Sequence, residues 1–263
     1  MTELAALLDP SLIGLWAVVG LAAWLQTLTG FAFGLILMGG VGLFDLIPLP
    51  EAAILASILT LVNGGMVVGR EWRSVDRPAL ALFMAGSLPG LALGYVLLLW
   101  LVGGALSVLQ LVLGVLILGA ALQMMRRPVT RAHRSAAPAF VVTGFLGGMM
   151  GGMFSTAGPP VIWHMYRQPA TLNTIRATLV SIFVLNGSMR LVLVLATTGI
   201  PATTLVATAG AVPVVALGTH LAQRHPPPLS AAAIRRLAFG LLFLSGLALS
   251  LPALLQLMKA VLP

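Results

Sequence analysis

The chain has 263 residues, 59% of them hydrophobic and only 8% charged, which excludes an ordinary soluble domain and predicts an all-α polytopic membrane protein. Lysine and arginine number 14 against 6 acidic residues. Without a basic stripe interleaved with aromatics, that excess marks cytoplasmic loops and no nucleic-acid partner. The lack of cysteine excludes disulfides and thiolate metal sites, and the four scattered histidines make no metal spacing, so neither metal nor cofactor is expected.

Apolar runs fall at 12–44, 51–69, 79–101, 104–125, 139–166, 173–197, 201–222 and 231–258. The first is too long for one crossing of about 20 residues, and it is interrupted at Thr27-Leu-Thr29-Gly30-Phe-Ala-Phe-Gly34. Single crossings follow as far as 125. A basic cytoplasmic linker, 126–138, carries Arg126, Arg127, Arg131 and Arg134 and separates a first transmembrane repeat, 1–125, from a second, 139–263.

The fifth run is again irregular. It carries five glycines between Gly144 and Gly152, then Ser155-Thr156 closed by Gly158-Pro159-Pro160. Gly lowers helix propensity by about 1 kcal/mol and Pro by about 3, so a continuous helix is not expected from Thr143 to Pro160. In hydrocarbon such a break survives only where protein or a watery cavity satisfies the freed backbone groups. For Gly144 to Gly152, close packing of helices on small residues is the competing reading.

The halves repeat. Gly86-Ser-Leu-Pro89-Gly-Leu-Ala-Leu-Gly94 recurs 124 positions later as Gly210-Ala-Val-Pro213-Val-Val-Ala-Leu-Gly218. Asn63-Gly64 recurs as Asn186-Gly187, Ser57 as Ser181, and Thr29-Gly30-Phe31 aligns with Thr143-Gly144-Phe145. On that alignment the second copy is about ten residues longer between its glycine break and its Asn-Gly pair. Charge orients the copies, because Lys and Arg concentrate in cytoplasmic loops. If every run crossed once, Arg167, Arg176, Arg224, Arg235 and Arg236 would fall outside. If the two broken runs enter and leave on the same side, all five move inside and the second copy is inverted relative to the first. Inverted repeats whose broken segments meet near the midplane are a recurring transporter architecture.

Gly30-Phe-Ala-Phe-Gly34, Asp76-Arg77, Gly147-Gly148, Gly158-Pro159-Pro160 and Arg176-Ala-Thr178 together resemble the sulfite exporter TauE/SafE family of bacterial membrane proteins. The resemblance covers nearly the whole chain, with Phe33 standing where many members have a further glycine. It implies secondary transport of small, often sulfur-containing anions such as sulfite and organosulfonates.

Arg190 is the strongest candidate for holding such an anion. It lies deep in a span, four residues after Asn186, so both can face one side of a helix. A charge at that depth costs at least about 2.5 kcal/mol and usually faces a cavity or the bundle interior, and a planar guanidinium suits a sulfonate or sulfite. Packing against a backbone carbonyl is its structural alternative. Asn63, Asn186, Ser57 and Ser181 can donate hydrogen bonds to an anion or hold helices together. Gln26, Thr27 and Thr29 beside the first break, and Ser155 and Thr156 beside the second, are expected to converge. The break residues Gly30, Gly34, Gly158 and Pro159 bring helix N-termini and their partial positive charge to the same place. His164 is a candidate proton-coupling residue or an interfacial histidine without that role, and Arg176 is a candidate residue of the anion's access path or an ordinary cytoplasmic anchor.

These residues predict a secondary transporter moving a small anion across the bacterial inner membrane by alternating access, with a proton or sodium ion as coupling partner. No Walker-type loop suggests ATP use. A passive anion channel shares most of these residues. An intramembrane enzyme using Ser155 and His164 is a weaker rival, because the repeat does not require such a dyad and there is no Gly-x-Ser-x-Gly elbow.

Overall fold

A computed structural model describes residues 10–29, 33–125, 130–156, 158–225 and 231–261. Gly30, Arg126 and Arg127 lie outside the described residues. The described chain forms ten α-helices: α1 (Pro10–Thr29), α2 (Phe33–Phe44), α3 (Leu49–Glu71), α4 (Arg77–Gly104), α5 (Leu106–Met125), α6 (Ala137–Phe154), α7 (Gly158–Tyr166), α8 (Leu172–Thr197), α9 (Ala202–Arg224) and α10 (Ala231–Val261). Seven of them are long and apolar enough to cross a membrane, and α3 adds an apolar stretch over 49–65.

Local chemistry sets the helix starts. Pro lies in the first turn of α3, α4 and α6, where its missing N–H costs nothing. The Asp76 carboxylate accepts from the Ala79 N–H to open α4, and the Thr171 hydroxyl accepts from Thr174 to open α8. At the end of α6, Ser155 adopts φ 55° and its N–H bonds the Gly151 carbonyl, which stops the helix.

The glycines from Gly144 to Gly152 do not interrupt α6. They form a seam. Gly86, Gly90 and Gly94 of α4 interdigitate with Gly144, Gly148 and Gly152 of α6 so closely that a methyl on any of the six would overlap backbone of the facing helix. In lipid, backbone approach of this kind replaces the hydrophobic effect as the force holding helices together. The packing reading therefore holds for Gly144, Gly148 and Gly152, and the break is confined to the residues after Phe154.

Both broken runs double back. Val18 packs on Gly40 and Leu46 on Gly14, so α2 returns beside α1. The Phe140 and His164 rings lie 4.6 Å apart, and Gln168 bonds Ser135, so α7 returns beside α6. We refer to these pairs as the first and second hairpins. α1 ends at Thr29 and α6 at Phe154, while α2 opens at Phe33 and α7 at Gly158, an offset of 125 at both points. This corrects the alignment of Thr29-Gly30-Phe31 with Thr143-Gly144-Phe145. The equivalents of the first break are the residues after Phe154, and there is no ten-residue insertion. The short motif misled because Gly144 serves the α4 seam and has no role in a break.

Contacts between elements exchange when the halves are swapped: α4 packs on α6 as α9 packs on α1, α3 meets α8, and α5 meets α10. α4 and α6 run parallel, with Gly86 against Val141 and Gly94 against Met149, and so do α1 and α9, with Trp16 against Gly210 and Gly20 against Gly218. α3 and α8 run antiparallel, Gly64 facing Val184 and Gly187 facing Ser57. α5 and α10 are also antiparallel, Ser107 bonding Gln256 and Gly114 lying against Ser250.

The basic loops gather at one end of the bundle. Arg134 pairs with Asp76 at 3.0 Å, the Arg131 N–H donates to the Arg167 carbonyl, and Asn173 donates to Ser74. At the opposite end, Thr203 and Thr204 donate to Glu51.

Candidate anion site between the hairpin tips

The two breaks meet. A methyl on Gly34, at the start of α2, would lie 2.8 Å from Cγ2 of Thr156 and 3.0 Å from the Ser155 carbonyl oxygen. Around this contact is a cavity of about 30 Å³, room for about two waters. Gln26 of α1, Phe33, Gly34 and Leu35 of α2, and Thr60 of α3 line it from the first half. Gly151, Ser155, Thr156, Gly158 and, from α8, Phe183, Asn186 and Gly187 line it from the second.

The lining has carboxamides, hydroxyls and backbone but no carboxylate. The N-termini of α2 and α7 both open on it, each bringing N–H groups that have no partner within their own helix and about half a positive charge. Pro159 and Pro160 remove donors from the first turn of α7. Thr156 is 5% exposed, and its Oγ1 has no hydrogen-bond partner among the described residues. A hydroxyl left in that state costs about 1–3 kcal/mol, and it is free to donate to a bound anion.

A polar network fixes the first tip. The Phe33 N–H donates to Gln26 Oε1, Gln26 Nε2 donates to Asn63 Oδ1, and Asn63 Nδ2 donates to the Thr219 hydroxyl. On the other side, Ser87 donates to Asn186 Oδ1 at 2.6 Å while Asn186 Nδ2 donates to the Ile182 carbonyl. The Ser57 and Ser155 hydroxyls are 2.9 Å apart.

Arg190 stands just behind this wall. It is 1% exposed and does not line the cavity. Its Nε donates to the Gly152 carbonyl at 3.0 Å, its Nη1 to the Ser57 hydroxyl at 3.4 Å, and its guanidinium lies 5.8 Å from the centre of the Tyr95 ring. One hydroxyl therefore separates it from Ser155. Arg176 donates from Nη2 to the Thr27 carbonyl near the end of α1. The Thr27 hydroxyl bonds Ala23 of its own helix and Ser181 bonds Ala177, so neither points a free donor at the cavity. Thr29 ends α1, and Pro159 is buried behind Gly158. His164 sits at the open end of the second hairpin, packed edge-on against Phe83 and Phe140, away from the cavity.

Thr60, Phe183, Leu35, Gly151 and Gly187 also line the cavity but were not among the candidates from sequence. Thr60 was within reach of helical spacing, being three residues from both Ser57 and Asn63. Phe183 and Leu35 look like any other apolar residue of a span, and only the meeting of the tips singles them out.

Paired broken helices whose tips meet on a polar cavity inside an apolar bundle are an architecture of membrane transporters. The chain belongs to the sulfite exporter TauE/SafE family, whose sequence profile matches residues 15–249. It is 38% identical over 250 residues to the probable sulfite/organosulfonate exporter TauE of Cupriavidus necator, an alignment covering 95% of this chain and 97% of that protein. No solved structure matches the chain.

Proposed function

We propose that this protein exports a small sulfur-containing oxyanion or organosulfonate across the bacterial inner membrane by alternating access, binding it between the hairpin tips. The observation carrying the proposal is the convergence of two helix N-termini on a cavity that has donors and no carboxylate. The name of the Cupriavidus necator relative supplies the substrate class.

Thr156→Val tests the site, because it removes the unpartnered hydroxyl while nearly keeping the side chain's shape. Its two effects should have opposite signs. The purified protein should melt at a higher temperature, since a buried unsatisfied group is gone, while its affinity for sulfite falls about tenfold for the loss of a hydrogen bond to an anion. Unaltered affinity would remove Thr156 from the site.

The repeats, 1–125 and 139–263, are inverted in this proposal, with the basic end of the bundle facing the cytoplasm. The antiparallel packing of α3 against α8, its counterpart, supports that relation. Single cysteines at Arg73, His133 and Arg224 of this cysteine-free chain should react with an impermeant maleimide only from the cytoplasmic side. A cysteine at Asp45 should react only from outside. Opposite accessibility at positions 73 and 224 would reject the arrangement.

A further inference from the structure

Two arginines of α8 occupy matching places on the two hairpins. Arg176 donates to the Thr27 carbonyl, two residues before the end of α1, and Arg190 donates to the Gly152 carbonyl, two residues before the end of α6. Those carbonyls are 125 positions apart, so they are equivalents in the two halves. Each belongs to the last four of its helix, which lack an intrahelical donor and carry the negative end of the dipole.

Phe183, which lines the cavity, is seven residues from each arginine. Seven residues is nearly two turns, so the three side chains share a face of α8 within about 20° per step, with Arg176 toward the basic end and Arg190, three residues past the cavity-lining Gly187, toward the opposite end. Satisfying a carbonyl does not require a charge; a glutamine would do it without the cost of placing a cation at that depth. Neither arginine is paired with a carboxylate among the described residues. Both positive charges are therefore held on neutral oxygens, from which an anion can displace them.

Building on the transport reading above, we propose that Arg176 and Arg190 are the two gates of the anion path. Each rests on the carbonyl closing one hairpin and exchanges it for the passing anion. Arg176 serves the basic end of the bundle and Arg190 the opposite end.

Uptake of radiolabelled sulfite by right-side-out and inside-out membrane vesicles carrying the full chain tests this, because each polarity reads KM from one side. Arg176→Gln should raise KM about tenfold in one polarity only, and Arg190→Gln in the other. Equal effects in both polarities, or none, would overturn the gate assignment. Should Arg190→Gln fail to insert, Arg190→Lys keeps the charge and should show the same one-sided effect. If neither variant at 190 inserts, the less deeply buried Arg176 decides by itself: a one-sided rise supports the gates and a two-sided rise overturns them. Failure here leaves the cavity standing, whereas a Gly34→Leu protein that keeps the parent's sulfite-dependent rise in melting temperature would overturn the cavity and leave the vesicle result to be read independently.

Discussion

Gly90→Val should leave almost no folded protein in the membrane. The first added carbon would overlap the Phe145 carbonyl oxygen, which is backbone and cannot rotate away, so the two helices must separate. Overpacking a side-chain core costs about 1–3 kcal/mol. Here the helices would also lose the close contacts of Gly86 and Gly94, because a rigid helix cannot part at one turn alone. With a typical stability of about 5–15 kcal/mol, that places the variant at or past the limit of folding. Gly119→Ala is the control, as a methyl there meets nothing within 4 Å, and it should melt at or above the parent's temperature because alanine favours helix. Size-exclusion profiles and melting curves in mild detergent provide the measurement. A monodisperse Gly90→Val protein with the parent's melting temperature would contradict the account of the seam.

Gly34→Leu should abolish saturable sulfite transport while the protein still inserts and folds. The nearest side-chain neighbour is the methyl of Thr156, at 2.8 Å from the new Cβ, and it belongs to a short segment between helices rather than to a packed helix. The remaining carbons of the leucine would occupy a cavity of only about 30 Å³. Space for the anion and the approach to the N–H groups of α2 are lost together. Gly34→Ala should act in the same direction but less severely. The decisive comparison is between melting temperature and its rise with added sulfite, since a ligand stabilises only the fold that binds it. A Gly34→Leu protein that retains the parent's sulfite-dependent rise would show that the anion binds elsewhere.

Much of this fold was legible in the sequence, through features that depend on the chain alone. Eight apolar runs follow from composition. The doubling back of the first and fifth follows from where the arginines lie, because a wrong crossing would strand Arg167, Arg176 and Arg224 together. The convergence of Gln26, Gly34, Ser155, Thr156 and Gly158 followed from the same breaks. Features that depend on a neighbouring helix were hidden. A glycine that ends a helix and a glycine that admits another helix have the same letter, so Gly144 was matched with Gly30 when its partner is Phe83 of α4. Depth in a span marked Arg190 as functional but could not show that Gly152 and Ser57 hold it outside the cavity wall. His164 was a candidate because it follows the Gly-Pro-Pro turn. Four residues take it a full helical turn away, among phenylalanines.

The seam between α4 and α6 has a counterpart of different construction. Where six glycines bring backbone against backbone, α1 and α9 meet largely through the side chains of Trp16 and Val214, with one backbone approach at Gly218. Side chains can change rotamer and slide; a backbone seam cannot. In a carrier whose halves exchange conformations, identical halves would give inward-open and outward-open forms equal energy. Unequal seams lift that degeneracy. One hairpin is coupled stiffly to its supporting helix and the other compliantly, so under the alternating access proposed above the two half-cycles would meet different mechanical resistance even though the chain trace is nearly symmetric.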